Sequence, residues 1–181
     1  MVMEKGKETS VRSENGKRAA VITLSDKGYA GEREDKSGPL VKTMLEAAGY
    51  KVGDVILLPD EKNQIERELI WLCDEEKVEL ILTTGGTGFS PRDCTPEATL
   101  AVADRNAPGI AEAMRWMSFQ ITPKAMLGRG VSVIRGKTLI VNLPGSPKAV
   151  RENLEGVLPY LEHGLDILSG RAGECGNGGE K

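Results

Sequence analysis

Hydrophobic positions in this chain follow two rhythms that take turns. Short, continuous apolar runs bounded by turn residues lie at Ala19-Ala20-Val21-Ile22-Thr23-Leu24, Val52 to Leu58, Glu79 to Thr84 and Thr138 to Asn142. Such runs predict strands buried on both faces. Between them the apolar spacing becomes helical. Val41, Met44, Leu45 and Ala48 fall at i, i+3, i+4 and i+7, a core-facing stripe. Ser37 is placed to cap that helix, Pro39 lies just inside it and Gly49 closes it. A second stripe, Ile65, Leu69, Leu72 and Cys73, predicts a helix from about Glu61 to Glu76 and makes Cys73 a core residue. Helical patterns recur near Thr95 to Asp104 and Pro108 to Phe119. Val131 to Ile134 and Thr138 to Asn142 flank Arg135-Gly136-Lys137, which predicts a hairpin. A last helical stretch runs from Pro147 to about Leu168, with an interruption near Pro159.

Strands alternating with helices predict an α/β fold, a three-layer sandwich with a mostly parallel central sheet flanked by helices, plus the hairpin. Residues 18–169 form the expected folded unit, with flexible tails at 1–17 and 170–181, which are rich in Gly, Ser, Lys and Glu. Such sheets hold ligands beyond the carboxyl ends of their strands, so the loops after the strands are where chemistry is sought.

The loop after the third strand reads Thr84-Gly85-Gly86-Thr87-Gly88-Phe89-Ser90-Pro91-Arg92-Asp93-Cys94-Thr95-Pro96. Glycines let backbone N–H groups crowd a ligand, and Thr95 as N-cap with Pro96 at N1 would set a helix N-terminus behind them, an arrangement that suits phosphate. Arg92 adds a cation and Asp93 a carboxylate. Asn142-Leu143-Pro144-Gly145-Ser146-Pro147-Lys148 repeats the device, and alone it reads better as a well-capped helix start. Asp60 follows a strand directly: it either caps the next helix or pairs with Asp93 as a two-carboxylate Mg²⁺ site completed by waters and phosphate oxygens. Ser25 and Asp26 also end a strand and are explained by turn chemistry. Arg115, Arg129 and Lys148 could bind an anion but read more simply as solvated, and His163 as structural or exposed.

Composition narrows the chemistry. The 181 residues carry 24 basic and 27 acidic side chains, a formal net charge of −3, which argues against a dedicated nucleic-acid binder. One histidine and three cysteines without C-x-x-C spacing remove multi-histidine metal sites, disulfide frameworks and most nucleophile–histidine pairs. No apolar run is long enough to span a membrane and the N-terminus lacks a signal core, so a reducing cytoplasm is expected. The Gly130 to Lys137 segment imitates a Walker A loop but has five residues between its glycines, where that motif needs four.

With both loop motifs and their separation, residues 18–168 resemble the MoaB/Mog family of molybdenum cofactor biosynthesis. The resemblance implies a compact α/β fold and a homotrimer, sometimes a hexamer. It implies molybdopterin adenylyltransferase activity: Mg-ATP-dependent transfer of AMP to the terminal phosphate of molybdopterin, with release of pyrophosphate. The product then passes to the molybdate-inserting enzyme of the pathway. Carried over by position, the family's catalytic aspartates fall on Asp60 and Asp93, which also become the Mg²⁺ candidates. Gly85, Gly86, Thr87 and Gly88 would line the phosphate-bearing part of the site; beside them Arg92 is expected to bind phosphate oxygens, and Thr84 and Thr95 to take part in substrate and nucleotide binding. Asn142, Pro144, Gly145 and Ser146 would line the nucleotide and pterin pocket, with Ser25 and Asp26 nearby. Family members without demonstrated transfer tend to lose the Pro-Asp after the second strand and the Arg-Asp-x-Thr-Pro run; both are present here, whereas an insertion after Lys148 found in some active members is not. The alternatives are a molybdopterin-binding protein without ATP chemistry, a scaffold of the same fold, or a different nucleotidyl enzyme on a similar sheet. In-line attack on a nucleotide phosphate needs alignment and charge neutralisation rather than a protein nucleophile, which suits a chain so poor in histidine.

Overall fold

The computed structural model describes residues 16–171. The five predicted strand runs, one of them divided, join an unpredicted two-residue strand, β5, in one seven-stranded sheet of order β2-β1-β4-β7-β6-β5, with β3 also paired to β1. Its strands are β1 (Arg18–Leu24), β2 (Lys51–Val52), β3 (Ile56–Leu58), β4 (Leu80–Thr84), β5 (Arg105–Asn106), β6 (Ser132–Arg135) and β7 (Thr138–Leu143). β2, β3, β1, β4 and β7 are parallel, while β6 returns antiparallel to β7 as the expected hairpin. The run from Val52 to Leu58, expected as one strand, is divided into β2 and β3, both on the same edge of β1. Gly53 and Asp54, weak strand formers, lie in the gap.

The helices are α1 (Asp26–Tyr29), α2 (Ser37–Ala47), α3 (Lys62–Asp74), α4 (Thr95–Ala101), α5 (Pro108–Ile121) and α6 (Pro147–Ser169), with a 3₁₀ turn at Pro123–Leu127. The sheet divides the core in two, because successive side chains of a strand point to opposite faces. Val21, Leu80, Leu82 and Val141 pack with Val41 and Leu45 of α2, Met114 of α5 and Leu154 of α6. Ile22, Ile81 and Ile140 pack on the other face with Ile65 and Leu69 of α3 and Ala98 of α4. The α/β three-layer arrangement is therefore the one the hydrophobic pattern implied. Cys73 is buried in the second cluster, and burial pushes its thiol pKa up to about 11, so it stays protonated and inert.

Three local expectations change. Ser37 is the first helical residue of α2 and not its cap; the carboxylate of Asp35, two residues earlier, accepts from the N–H of Ser37 and Gly38 at 3.0 Å each. Asp60 does not cap α3, whose N-cap is Glu61 with no side-chain bond. α6 runs unbroken through Pro159, which lies on the exposed side beside the equally exposed Glu155 whose carbonyl it frees. The expected tails, 1–17 and 170–181, lie mostly outside the described residues. Of those described, Lys17 pairs with Glu162 and Asp166 at 3.1 Å each. Among the described residues no helix is long and apolar enough to cross a membrane.

Candidate active site

Parallel register brings the carboxyl ends of β3, β1, β4 and β7 side by side: Leu24 lies opposite Leu58, Thr23 opposite Thr84, and Thr84 opposite Leu143. The loops that follow must therefore meet. The Thr84 hydroxyl donates to Pro144 O at 2.7 Å, and the Ser37 hydroxyl to Gly145 O at 2.7 Å. A Cβ on Gly145 would stand 3.4 Å from Gly85 Cα, so the two glycine motifs, 60 positions apart, touch.

The turn after β4 folds back on itself. Gly85 and Gly86 have φ of +95° and +64°, a region closed to most side chains, and a Cβ on Gly86 would come within 2.2 Å of Thr95 Oγ1 and 2.9 Å of Asp60 Oδ1. Thr95, expected as an N-cap, is the first residue of α4; it is fully buried and its hydroxyl donates to Gly85 O at 3.0 Å while its N–H donates to Gly86 O at 3.1 Å. Arg129, expected to be solvated, braces this loop. Its Nε donates to Gly88 O at 2.7 Å and Nη2 to Asp93 O at 2.9 Å, and its guanidinium pairs with Glu97.

The carboxylates form a linked set. The Asp26 N–H donates to Asp60 Oδ2 and the Asp60 N–H donates to Asp26 Oδ1, both at 3.0 Å. Arg92 forks onto Asp26, Nε to Oδ2 at 2.9 Å and Nη2 to Oδ1 at 3.0 Å, and also reaches Glu61 at 2.7 Å. The Arg92 guanidinium holds the Asp26 carboxyl below its ordinary range. Burial pushes Asp60 the other way, with the charges of Asp26 and Asp93 adding to it. Asp60 Oδ1 is buried and has no hydrogen-bond partner. The Asp93 carboxylate accepts from Ser90 N at 3.1 Å, closing a turn that aims it toward Gly88.

Two cavities flank the Pro144–Pro147 loop. The larger, about 750 Å³, is polar and is lined by Ser25, Asp60, Thr84, Gly85, Gly86, Asp93, Gly145 and Ser146 among the expected residues. The smaller, about 310 Å³, lies between α5 and the start of α6 and takes Thr87, Asn142 and Pro144. Asp26, Gly88, Arg92 and Thr95 line neither; Thr95 is buried, while Asp26 and Arg92 pair with each other on the exposed side. Asn142 is also structural: its amide donates to the Thr83 and Thr99 hydroxyls at 3.0 Å each and accepts from Val131 N at 3.2 Å. Residues missed in the sequence are Arg33, Asp35, Lys36 and Ser37 of the polar cavity and Met114 and Ser118 of the apolar one, where Arg115, weighed as an anion binder and read as solvated, also stands. The Asp35-x-Ser37-Gly38 spacing was a legible helix-capping signal; nothing local marked the others.

A model of the probable molybdopterin binding domain matches residues 20–163. The chain belongs to the molybdopterin-binding domain family. It is 48% identical over 139 residues to the molybdopterin adenylyltransferase of Haemophilus influenzae, covering 76% of this chain and 71% of that protein. It is 46% identical over 146 residues to the molybdopterin adenylyltransferase of Escherichia coli K12, covering 79% and 74%. The crystal structure of the molybdopterin biosynthesis enzyme MoaB from Thermus thermophilus superposes with a TM-score of 0.80 at 48% identity, covering 84% of this chain and 96% of that one. The family assignment thus rests on the same span of chain that builds the sheet and both cavities.

Proposed function

We propose that this chain is a molybdopterin adenylyltransferase, transferring AMP from ATP to the terminal phosphate of molybdopterin in molybdenum cofactor biosynthesis. The carrying observation is the orphaned, buried Asp60 Oδ1 at the wall of the polar cavity. A carboxylate oxygen buried without a partner is costly, and a cation relieves it. Glu34, Asp35, Asp60 and Asp93 face that cavity against Arg33 and Lys36, so a polyphosphate enters this excess of negative charge with a counter-cation. Among the described residues no cluster of three or more acidic, histidine or cysteine ligands exists. Two carboxylates with the remaining positions left to water and phosphate fit Mg²⁺, which keeps several waters. Asp60 and Asp93 would hold it, and when bound it supplies neutralisation of charge on the reacting phosphates.

The chain's own residues do the rest by alignment. Gly85 and Gly86 bring backbone close to the nucleotide phosphates, and Ser25 and Ser146 offer hydroxyls at the same wall. The apolar cavity beside Pro144 suits the pterin ring, which sets the molybdopterin phosphate near the seam of Gly85 and Gly145. A phosphate oxygen of molybdopterin attacks the α-phosphorus of ATP, the α–β anhydride bond breaks and pyrophosphate leaves, with no covalent enzyme intermediate. The exposed Trp116, Phe119 and Ile121 of α5, followed by Met126 and Leu127, favour self-association, and the assembly we propose is the homotrimer implied by the family resemblance. Free Cys73 and Cys94 agree with a cytoplasmic home, from which the product passes to the molybdate-inserting enzyme.

Pyrophosphate release from Mg-ATP, measured with and without molybdopterin, tests this. Release is expected only with the pterin, and Asp93→Asn is expected to lower kcat by about 100-fold or more while the circular dichroism spectrum is retained. Pterin binding without any release would place the chain among non-catalytic binders, and a fully active Asp93→Asn protein would remove Asp93 from the reaction.

A further inference from the structure

The sequence places Arg92 next to Asp93 and offers it as the phosphate cation. The three-dimensional arrangement gives Arg92 other duties. Both of its contacts to Asp26 and its contact to Glu61 are 2.7–3.0 Å long, and it does not line the polar cavity. Swinging it onto a phosphate would strand Asp26, which in turn holds the Asp60 N–H. Arg129 is equally committed, to Gly88 O, Asp93 O and Glu97. Several helix-start N–H groups around the cavity already have partners as well. Asp35 takes the first N–H groups of α2, Ser146 accepts from Ala149 N behind Pro147 in α6, and in α4 Thr95 N is bound to Gly86 O ahead of Pro96.

Arg33 and Lys36 remain. Both line the cavity, from the segment joining α1 to α2. That segment is anchored at either end: Arg33 N donates to Lys27 O at 3.2 Å, and the Asp35 carboxylate also accepts from the Thr23 hydroxyl at 2.7 Å. Its backbone is fixed while its cationic arms are not. Lys36 has one ion partner among the described residues, Glu34 at 3.9 Å, with side chains 72% and 81% exposed, a pairing worth little in water. Arg33 takes part in no ion pair among the described residues. Charged side chains that face a cavity without internal partners are free to meet a polyanion.

Building on the adenylyltransferase reading, we infer a division of labour: Arg33 and Lys36 bind the β- and γ-phosphates of ATP, the pyrophosphate that leaves, while Arg92 is a positioning residue that holds Asp60 through Asp26. The two roles move different quantities. Losing Arg33 and Lys36 weakens pyrophosphate and nucleotide binding; losing Arg92 misplaces Asp60 and slows the chemical step.

The test uses the full chain and inorganic pyrophosphate with Mg²⁺ as a direct binding probe, followed by calorimetry, alongside steady-state kinetics. Arg33→Gln/Lys36→Gln is expected to weaken pyrophosphate binding and raise KM for Mg-ATP by about tenfold or more, with a shallower dependence on salt and kcat changed far less. Arg92→Gln is expected to lower kcat by about tenfold or more with pyrophosphate binding near wild type, and its effect should not multiply with that of Asp26→Asn, because both break one contact. Arg92→Lys, which keeps the charge and loses the fork, should behave as Arg92→Gln if that protein is too unstable to assay. A large loss of pyrophosphate binding in Arg92→Lys with none in the double variant would overturn the assignment, as would multiplicative effects of the Arg92 and Asp26 substitutions. Because pyrophosphate binding is read without the pterin, a wild-type protein that binds it but transfers no AMP counts against the adenylyltransferase reading alone.

Discussion

The turn after β4 and the turn after β7 are written with the same signals: a strand end, a glycine, and a hydroxyl residue followed by proline. They fold differently. After β7, Ser146 does what its position suggests, accepting from Ala149 N at 3.2 Å to cap α6. After β4, Thr95 turns its hydroxyl backward to Gly85 O, and the chain between them takes two consecutive left-handed glycines against the wall that holds Asp60. The first solution stabilises its own helix. The second gives up its cap to hold a concave, glycine-lined backbone beside a buried carboxylate. Departures from local rules gather where a fold does its chemistry, and here the departure separates a turn that caps its own helix from one that shapes the cavity wall beside Asp60.

Glycine replacement should separate the two turns most widely. In Gly86→Ala a methyl must fit within 2.2 Å of Thr95 Oγ1 and 2.9 Å of Asp60 Oδ1 at φ +64°, so kcat/KM is expected to fall by about 100-fold or more. Gly145→Ala meets Gly85 Cα at an ordinary 3.4 Å and should cost less than about tenfold. Equal losses would erase the distinction.

The hydroxyls offer the next contrast. Thr95→Val leaves the Gly85 carbonyl without its donor and should cost about 1–3 kcal/mol, lowering Tm by about 2–12 °C and reducing activity as the glycine turn relaxes. Ser146→Ala removes a cap worth about 1 kcal/mol, lowering Tm by about 2–4 °C with a smaller effect on turnover. Thermal melts and pyrophosphate release on the same samples would decide whether stability and activity separate as expected.

The smallest effect has the opposite sign. Burial raises the Asp60 pKa in the folded protein, so the unfolded chain gives up this proton at lower pH. Stability is therefore lost as pH rises through the interval between the two values. Asp60→Asn removes that loss and keeps an acceptor for Asp26 N. Its Tm should lie slightly above wild type at neutral pH and converge with it as pH falls below the ordinary carboxylate range, while activity is lost. A lower Tm for Asp60→Asn at neutral pH would mean that Asp60 is held for structure and not for a ligand.

Much of the molecule was open to a reading of the chain alone. Strand runs and helical stripes are local periodicities, and burying them leaves one arrangement of layers, so the α/β sandwich and its hairpin followed from the order of elements. Strand-end loops with glycine and carboxylate are short-range signals too, which is why Asp60, Asp93 and the Gly85–Gly86 turn were picked out before any contact was known. What the sequence could not carry was partnership. Arg92 is adjacent to Asp93 in the chain but forked to Asp26, 66 positions away; Arg129 reads as solvated but closes on the Gly88 and Asp93 carbonyls; Arg33 and Lys36 carry no local signal of function but line the cavity. Local spacing determines which elements form and which face they bury. Which cation is consumed by which carboxylate depends on distances between loops that only the parallel register of β1, β4 and β7 brings together, and those distances decide which charges are left for a ligand.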